Sequence, residues 1–104
     1  MATAVTYVRG AELPPLLVQM LDDNNDVIDF TSASGFSFKM GLDTSTTALT
    51  KTTGITGSTT GATIAWASGD LELASGVYIA ELTATISGLD YRRQFSIQIE
   101  PKLA

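Results

Sequence analysis

Val77-Tyr78-Ile79-Ala80-Glu81-Leu82-Thr83-Ala84-Thr85-Ile86, then Ser87-Gly88-Leu89-Asp90, then Gln94-Phe95-Ser96-Ile97-Gln98-Ile99-Glu100, is the stretch that decides the fold. In the last segment Phe95, Ile97 and Ile99 alternate with polar residues, the period of a half-buried strand. In the first, Tyr78, Ala80, Leu82, Ala84 and Ile86 form one apolar face. The opposite face, Val77, Ile79, Glu81, Thr83 and Thr85, is polar only towards its far end. A short Gly- and Asp-containing connection between two alternating runs predicts a hairpin, so these strands are expected to pair antiparallel.

Working outward, Phe36, Phe38 and Met40 alternate with Ser37 and Lys39, and Ala62, Ile64 and Trp66 share one side of the Gly61 to Trp66 run. Leu16, Val18 and Met20 point inward from a further strand over Leu16 to Leu21, preceded by Pro14-Pro15, which cannot donate to a sheet ladder. Asp22 to Asp26 is a turn of residues that bond their own backbone or tolerate left-handed geometry, and Val27 to Phe30 resumes an extended run. Asp43 to Gly61 is rich in Thr, Ser and Gly, and an edge strand is expected within it around Ala48 to Thr53. Asp70 to Ser75 is expected to form a single helical turn capped by Ser68 or Asp70. About seven short strands with little helix make residues 1–104 one all-β domain, an antiparallel β-sandwich. Residues 1–10 are expected to form an N-terminal arm or edge strand. Phe36, Phe38, Trp66, Tyr78, Leu82, Phe95 and Ile97 supply the core.

Composition narrows the chemistry. The 104 residues contain no cysteine and no histidine, which removes a disulfide framework, thiolate metal sites and the commonest general base. Six basic residues against eleven acidic ones give a net charge of −5, unsuited to a phosphate backbone, so nucleic acid is not expected as a partner. The apolar runs fall far short of a membrane helix, and the start of the chain lacks the basic and apolar regions of a cleaved leader.

Ser75-Gly76-Val77-Tyr78-Ile79-Ala80 resembles the strand F of immunoglobulin-type sandwiches, where a tyrosine hydroxyl bonds backbone just upstream. Over nearly its whole length the chain resembles the immunoglobulin-like domain of phage baseplate upper proteins and related phage tail structural proteins. The resemblance is carried by Asp22 to Asp26, Asp29-Phe30-Thr31, Phe36-x-Phe38-x-Met40, Gly61 to Trp66, Asp70, and Gly76-x-Tyr78-x-Ala80-Glu81. It implies an immunoglobulin-like sandwich and a non-enzymatic structural component of a bacteriophage virion, in its tail, baseplate or connector. Such a component is assembled in the host cytoplasm and docks on other virion proteins and on copies of itself.

The expected interface residues are Val5, Tyr7, Leu49, Ile55 and Tyr91, apolar side chains on the arm, the Thr-rich loop and the start of the last strand. The acidic turn at Asp22 to Asp29 lacks the glycine and distal glutamate of a calcium loop, so it is read as a solvated turn, with Asp29 bonding Thr31. No cofactor or metal is expected. Asp70, Glu72 and Glu81 are carboxylates that nothing in the sequence pairs, and no Gly-x-Ser-x-Gly elbow is present. The alternative to assembly is a carbohydrate- or cell-surface-binding adhesion module using Tyr91 and loop residues.

Overall fold

The computed structural model describes residues 4–12, 14–43 and 46–101. Among them the long hairpin organises everything else. Strands β7 (Gly76–Ile86) and β8 (Leu89–Glu100) pair antiparallel from Gly76↔Ile99 to Ile86↔Leu89. The turn is only Ser87-Gly88, with φ of 52° and 81°. Two consecutive positive φ values match the right-handed twist of the flanking strands, and glycine takes the second without steric cost.

Strand β3 (Ser34–Gly41) pairs with β7, with a register shift between Ser34 and Ser37, and β4 (Leu49–Lys51) pairs with β3. With β1 (Ala4–Val8) beside β8 this gives a five-stranded sheet of order β1-β8-β7-β3-β4. Strands β2 (Leu16–Val18), β6 (Gly61–Ile64) and β5 (Ile55–Ser58) form the second sheet, in that order. The fold is a two-sheet β-sandwich without helix among the described residues.

Four expectations change. The sandwich is not wholly antiparallel: β1 runs parallel to β8, from Ala4↔Ser96 to Val8↔Glu100. Its chain must next cross to β2 in the other sheet, and β1 lies on the free edge of β8 pointing the same way. Residues 4–8 are therefore an edge strand, while residues 1–3 of the expected arm lie outside the described residues. The Thr-rich stretch holds two strands rather than one, because β5 gains an antiparallel ladder against β6 that its own composition did not signal. Val27 to Phe30 makes only the bridge Leu21↔Val27, since Phe30 drops into the core at 0% exposure and gives its N–H to the Ser58 carbonyl. No helical turn forms at Asp70 to Ser75. The Asp70 carboxylate is taken by Lys51 and by the Ala67 N–H, and Leu71 is buried instead of continuing a helix.

The core follows the alternation. Phe38, Met40, Ile64, Leu82, Ile97 and Ile99 are fully buried, and Trp66, Tyr78 and Phe95 nearly so, while Phe36 is half-buried. Trp66 meets Tyr7 and Phe38 edge-on, each at 5.6 Å between ring centroids, a favoured aromatic geometry. Tyr78 donates its hydroxyl to the Ala74 carbonyl at 2.6 Å, the upstream bond expected of it.

Candidate interaction surfaces

Tyr7 is 4% exposed and donates its hydroxyl to the Pro14 carbonyl, so it is a core residue and not a contact offered to a partner. The alternation that puts Val5 and Tyr7 on one face is real, but that face is satisfied within the chain. Val5, Leu49, Ile55 and Tyr91 are all half-buried against the core. Val5 borders a cleft of about 230 Å³ between β1 and β2, with Leu16, Leu17, Arg93 and Phe95. Leu49 and Ile55 lie on β4 and β5, the terminal strands of their sheets. Tyr91 opens into a hollow of about 510 Å³ at the hairpin end, with Leu21, Val27, Asp22, Asp23 and Asp29.

The acidic turn behaves as the sequence suggests. Asp22 Oδ1 accepts the N–H groups of Asn24 and Asp26, and Asp29 Oδ1 accepts both the hydroxyl and the N–H of Thr31. The Thr31 hydroxyl first, and its backbone N–H second, hold the Asp29 carboxyl below its ordinary range. The carboxylates considered for catalysis have separate partners: Asp70 binds Lys51, Glu72 binds Arg9 at 2.9 Å, and Glu81 binds Arg92 at 3.5 Å and Gln94 at 3.2 Å.

Sequence reading passed over the outer face of the five-stranded sheet. The strand registers place Val77, Ile79, Glu81 and Thr83 of β7 beside Gln98, Ser96, Gln94 and Arg92 of β8, and beside Gly41, Lys39 and Ser37 of β3. Val77 is 57% exposed, Ile79 37% and Leu42, just beyond β3, 59%. Leu42 lies next to Gly76, whose position in β7 belongs to the inner face, so Val77 and Ile79 alone form the apolar end of the outer face. Towards the other end come Glu81, Lys39 and Arg92. Gly41 is obligatory here, because a Cβ on it would meet the Thr46 carbonyl oxygen at 1.7 Å. A shallow hollow of about 170 Å³ is bordered by Gly41, Lys39, Ile79 and Glu81.

No family model, curated protein or solved structure matches this chain. What it can do must be argued from these surfaces. The apolar end of the outer face was legible in one respect: Val77 and Ile79 interrupt the polar side of an otherwise alternating strand.

Proposed function

We propose that this chain is a non-enzymatic immunoglobulin-like module that docks on other proteins as a structural component of a bacteriophage particle. The fold supports the first half. The order β8-β7-β3-β4 opposite β2-β6-β5 corresponds to strands G-F-C-C′ against B-E-D, and the Tyr78 bond to Ala74 at the start of β7 is that of a tyrosine corner. The observation that carries the docking reading is where the exposed large apolar residues lie. Val77 and Ile79 stand together on an open sheet face, Leu21 and Val27 stand paired and exposed beside the acidic turn, and the hollows next to both are shallow. Concentrated apolar area on a surface marks an interaction site. Membership in a phage particle rests on the sequence resemblance.

Mass spectrometry of gradient-purified particles from the producing host tests this reading. The chain should be present at a fixed ratio to the tail proteins and should stay bound through a salt wash. Particles that lack it would remove the virion assignment.

A second reading has its own observation, the Tyr91 hollow. An aromatic ring beside carboxylates already fixed by backbone bonds suits a polyhydroxylated ligand. A glycan array should return no Tyr91-dependent binding; a signal abolished by Tyr91→Ala would favour the adhesion module.

A further inference from the structure

We infer that the free edge of β2 receives an extended segment of a partner protein, added as a further strand of the smaller sheet and carrying a carboxylate for Arg93. This mode of contact rests on the docking reading and gives its partner a chemistry.

The edge is open in its backbone. Ala65, just past β6, gives its N–H to the Gly54 carbonyl on the β5 side. Successive residues of a strand point their backbone groups to opposite sides, so Ile64 and Ala62 face β2. Their register partners Leu16 and Val18 face β6 in return. The N–H and C=O of Leu17 are left pointing outward, and nothing among the described residues bonds them. The Gln19 carbonyl, next in the same alternation, is reached by the Arg93 guanidinium from β8. Unpaired groups along a strand edge are a template for another strand.

The cleft beside this edge says which side chains fit. The sheets are unequal, five strands against three, and no strand of the smaller sheet lies beyond β2 to cover Val5 among the described residues. Val5 and Phe95 of the larger sheet, with Leu16 and Val18 of the smaller, border the cleft of about 230 Å³. A strand added to β2 turns every second side chain into it. The positions opposite Leu16 and Val18 therefore suit apolar residues. The next inward position, opposite Met20, comes to Arg93, which borders a hollow with Gln19, Met20 and Leu21.

Charge decides that last position. Among the described residues Arg93 has no carboxylate within ion-pair distance, and its guanidinium meets only the neutral Gln19 carbonyl. A guanidinium presents a planar fork of N–H donors that matches a carboxylate, so an Asp or Glu there takes the donors the carbonyl leaves free. Counted from the Leu16 end, the occupant reads apolar, any, apolar, any, acidic. Backbone bonds to the edge supply affinity, and the cleft and Arg93 supply specificity.

Titration of the isotope-labelled chain with two blocked heptapeptides, Thr-Val-Thr-Val-Thr-Asp-Thr and its reverse, tests the inference by NMR, the two covering both strand directions. One of them is expected to shift the Leu17 and Gln19 amides and slow their exchange with solvent, saturating in the millimolar range. Asparagine in place of the peptide's aspartate should weaken binding about tenfold, the equivalent of one charge-assisted hydrogen bond. Arg93→Glu should reject the aspartate peptide and accept one with lysine in that place. Leu17→Pro removes an outward N–H and no ladder bond, a change an edge strand tolerates, and should abolish binding with near-ultraviolet circular dichroism unchanged. Should it misfold, the Arg93 charge exchange decides alone. Peptides that leave Leu17 and Gln19 unmoved at millimolar concentration overturn the inference, as does binding indifferent to the Arg93 exchange. A mass rising from 11.0 kDa towards twice that value without peptide, and falling back in Leu17→Pro, would make a second copy the occupant and overturn it too. If Leu17→Pro enters particles as well as the wild type does, strand addition fails and the docking reading stands. A chain absent from particles that still binds the peptide does the reverse.

Discussion

Trp66→Ala is expected to lower the unfolding free energy by about 3–5 kcal/mol, the range for removing a large buried aromatic side chain. The indole is 6% exposed and stacked edge-on against Tyr7 from β1 and Phe38 from β3. It follows β6 of the smaller sheet, so its loss opens a cavity between the two layers and not at a margin. Small domains have only about 5–15 kcal/mol in total, and this single change takes a large part of it. Trp66→Phe should cost much less. The indole Nε1 is buried with no hydrogen-bond partner among the described residues, and phenylalanine removes that donor together with part of the volume. Urea titration followed by circular dichroism measures both. Equal denaturation midpoints for wild type and Trp66→Ala would place the ring outside the core.

Asp70→Ala is expected to cost about 3–5 kcal/mol, since it leaves a buried ammonium without its counter-charge. Lys51 Nζ lies 2.6 Å from Asp70 Oδ2, with the two side chains 8% and 17% exposed. Lys51 points inward from β4 alongside Phe38, and the same Asp70 oxygen accepts the Ala67 N–H, so the pair ties the edge strand to the turn after β6. Replacing Lys51 by Met should be milder, because Asp70 keeps that backbone bond and some contact with water. The double variant Lys51→Met with Asp70→Asn should recover most of the loss from Asp70→Ala, as apolar packing often equals a buried ion pair in stability. A double-mutant cycle by urea unfolding measures the coupling. Coupling near zero would mean that the two charges are solvated independently.

Much of the sandwich is written in the sequence because period-two alternation is a local signal. It identified β3, β6, β7 and β8 and their inward faces, including Trp66, Tyr78 and Phe95. What it could not carry is long-range or non-periodic. The parallel pairing of β1 joins residues at opposite ends of the chain. Lys51 and Asp70 are nineteen positions apart, and a lysine in a Thr-rich segment reads as solvated. Phe30 and Leu71 are fully buried from loops, where no period assigns a face. Tyr7 was misplaced for a related reason: alternation says which residues share a side, but not whether this chain or another covers it. The surface met the same limit. Val77 and Ile79 are visibly anomalous in sequence, yet only the register of β3 brings Lys39 and Gly41 beside them.

The parallel neighbourhood of β1 and β8 also has a mechanical meaning. Tension entering β1 from its N-terminal side and leaving β8 on its C-terminal side pulls the two strands along each other in opposite directions. The ladder from Ala4↔Ser96 to Val8↔Glu100 is then loaded in shear, all rungs together, and not unzipped rung by rung. Rupture under such a load is governed by the unfolding rate and not by equilibrium stability. Strung in series between neighbours, this domain resists stretching along the axis on which β1 and β8 lie side by side.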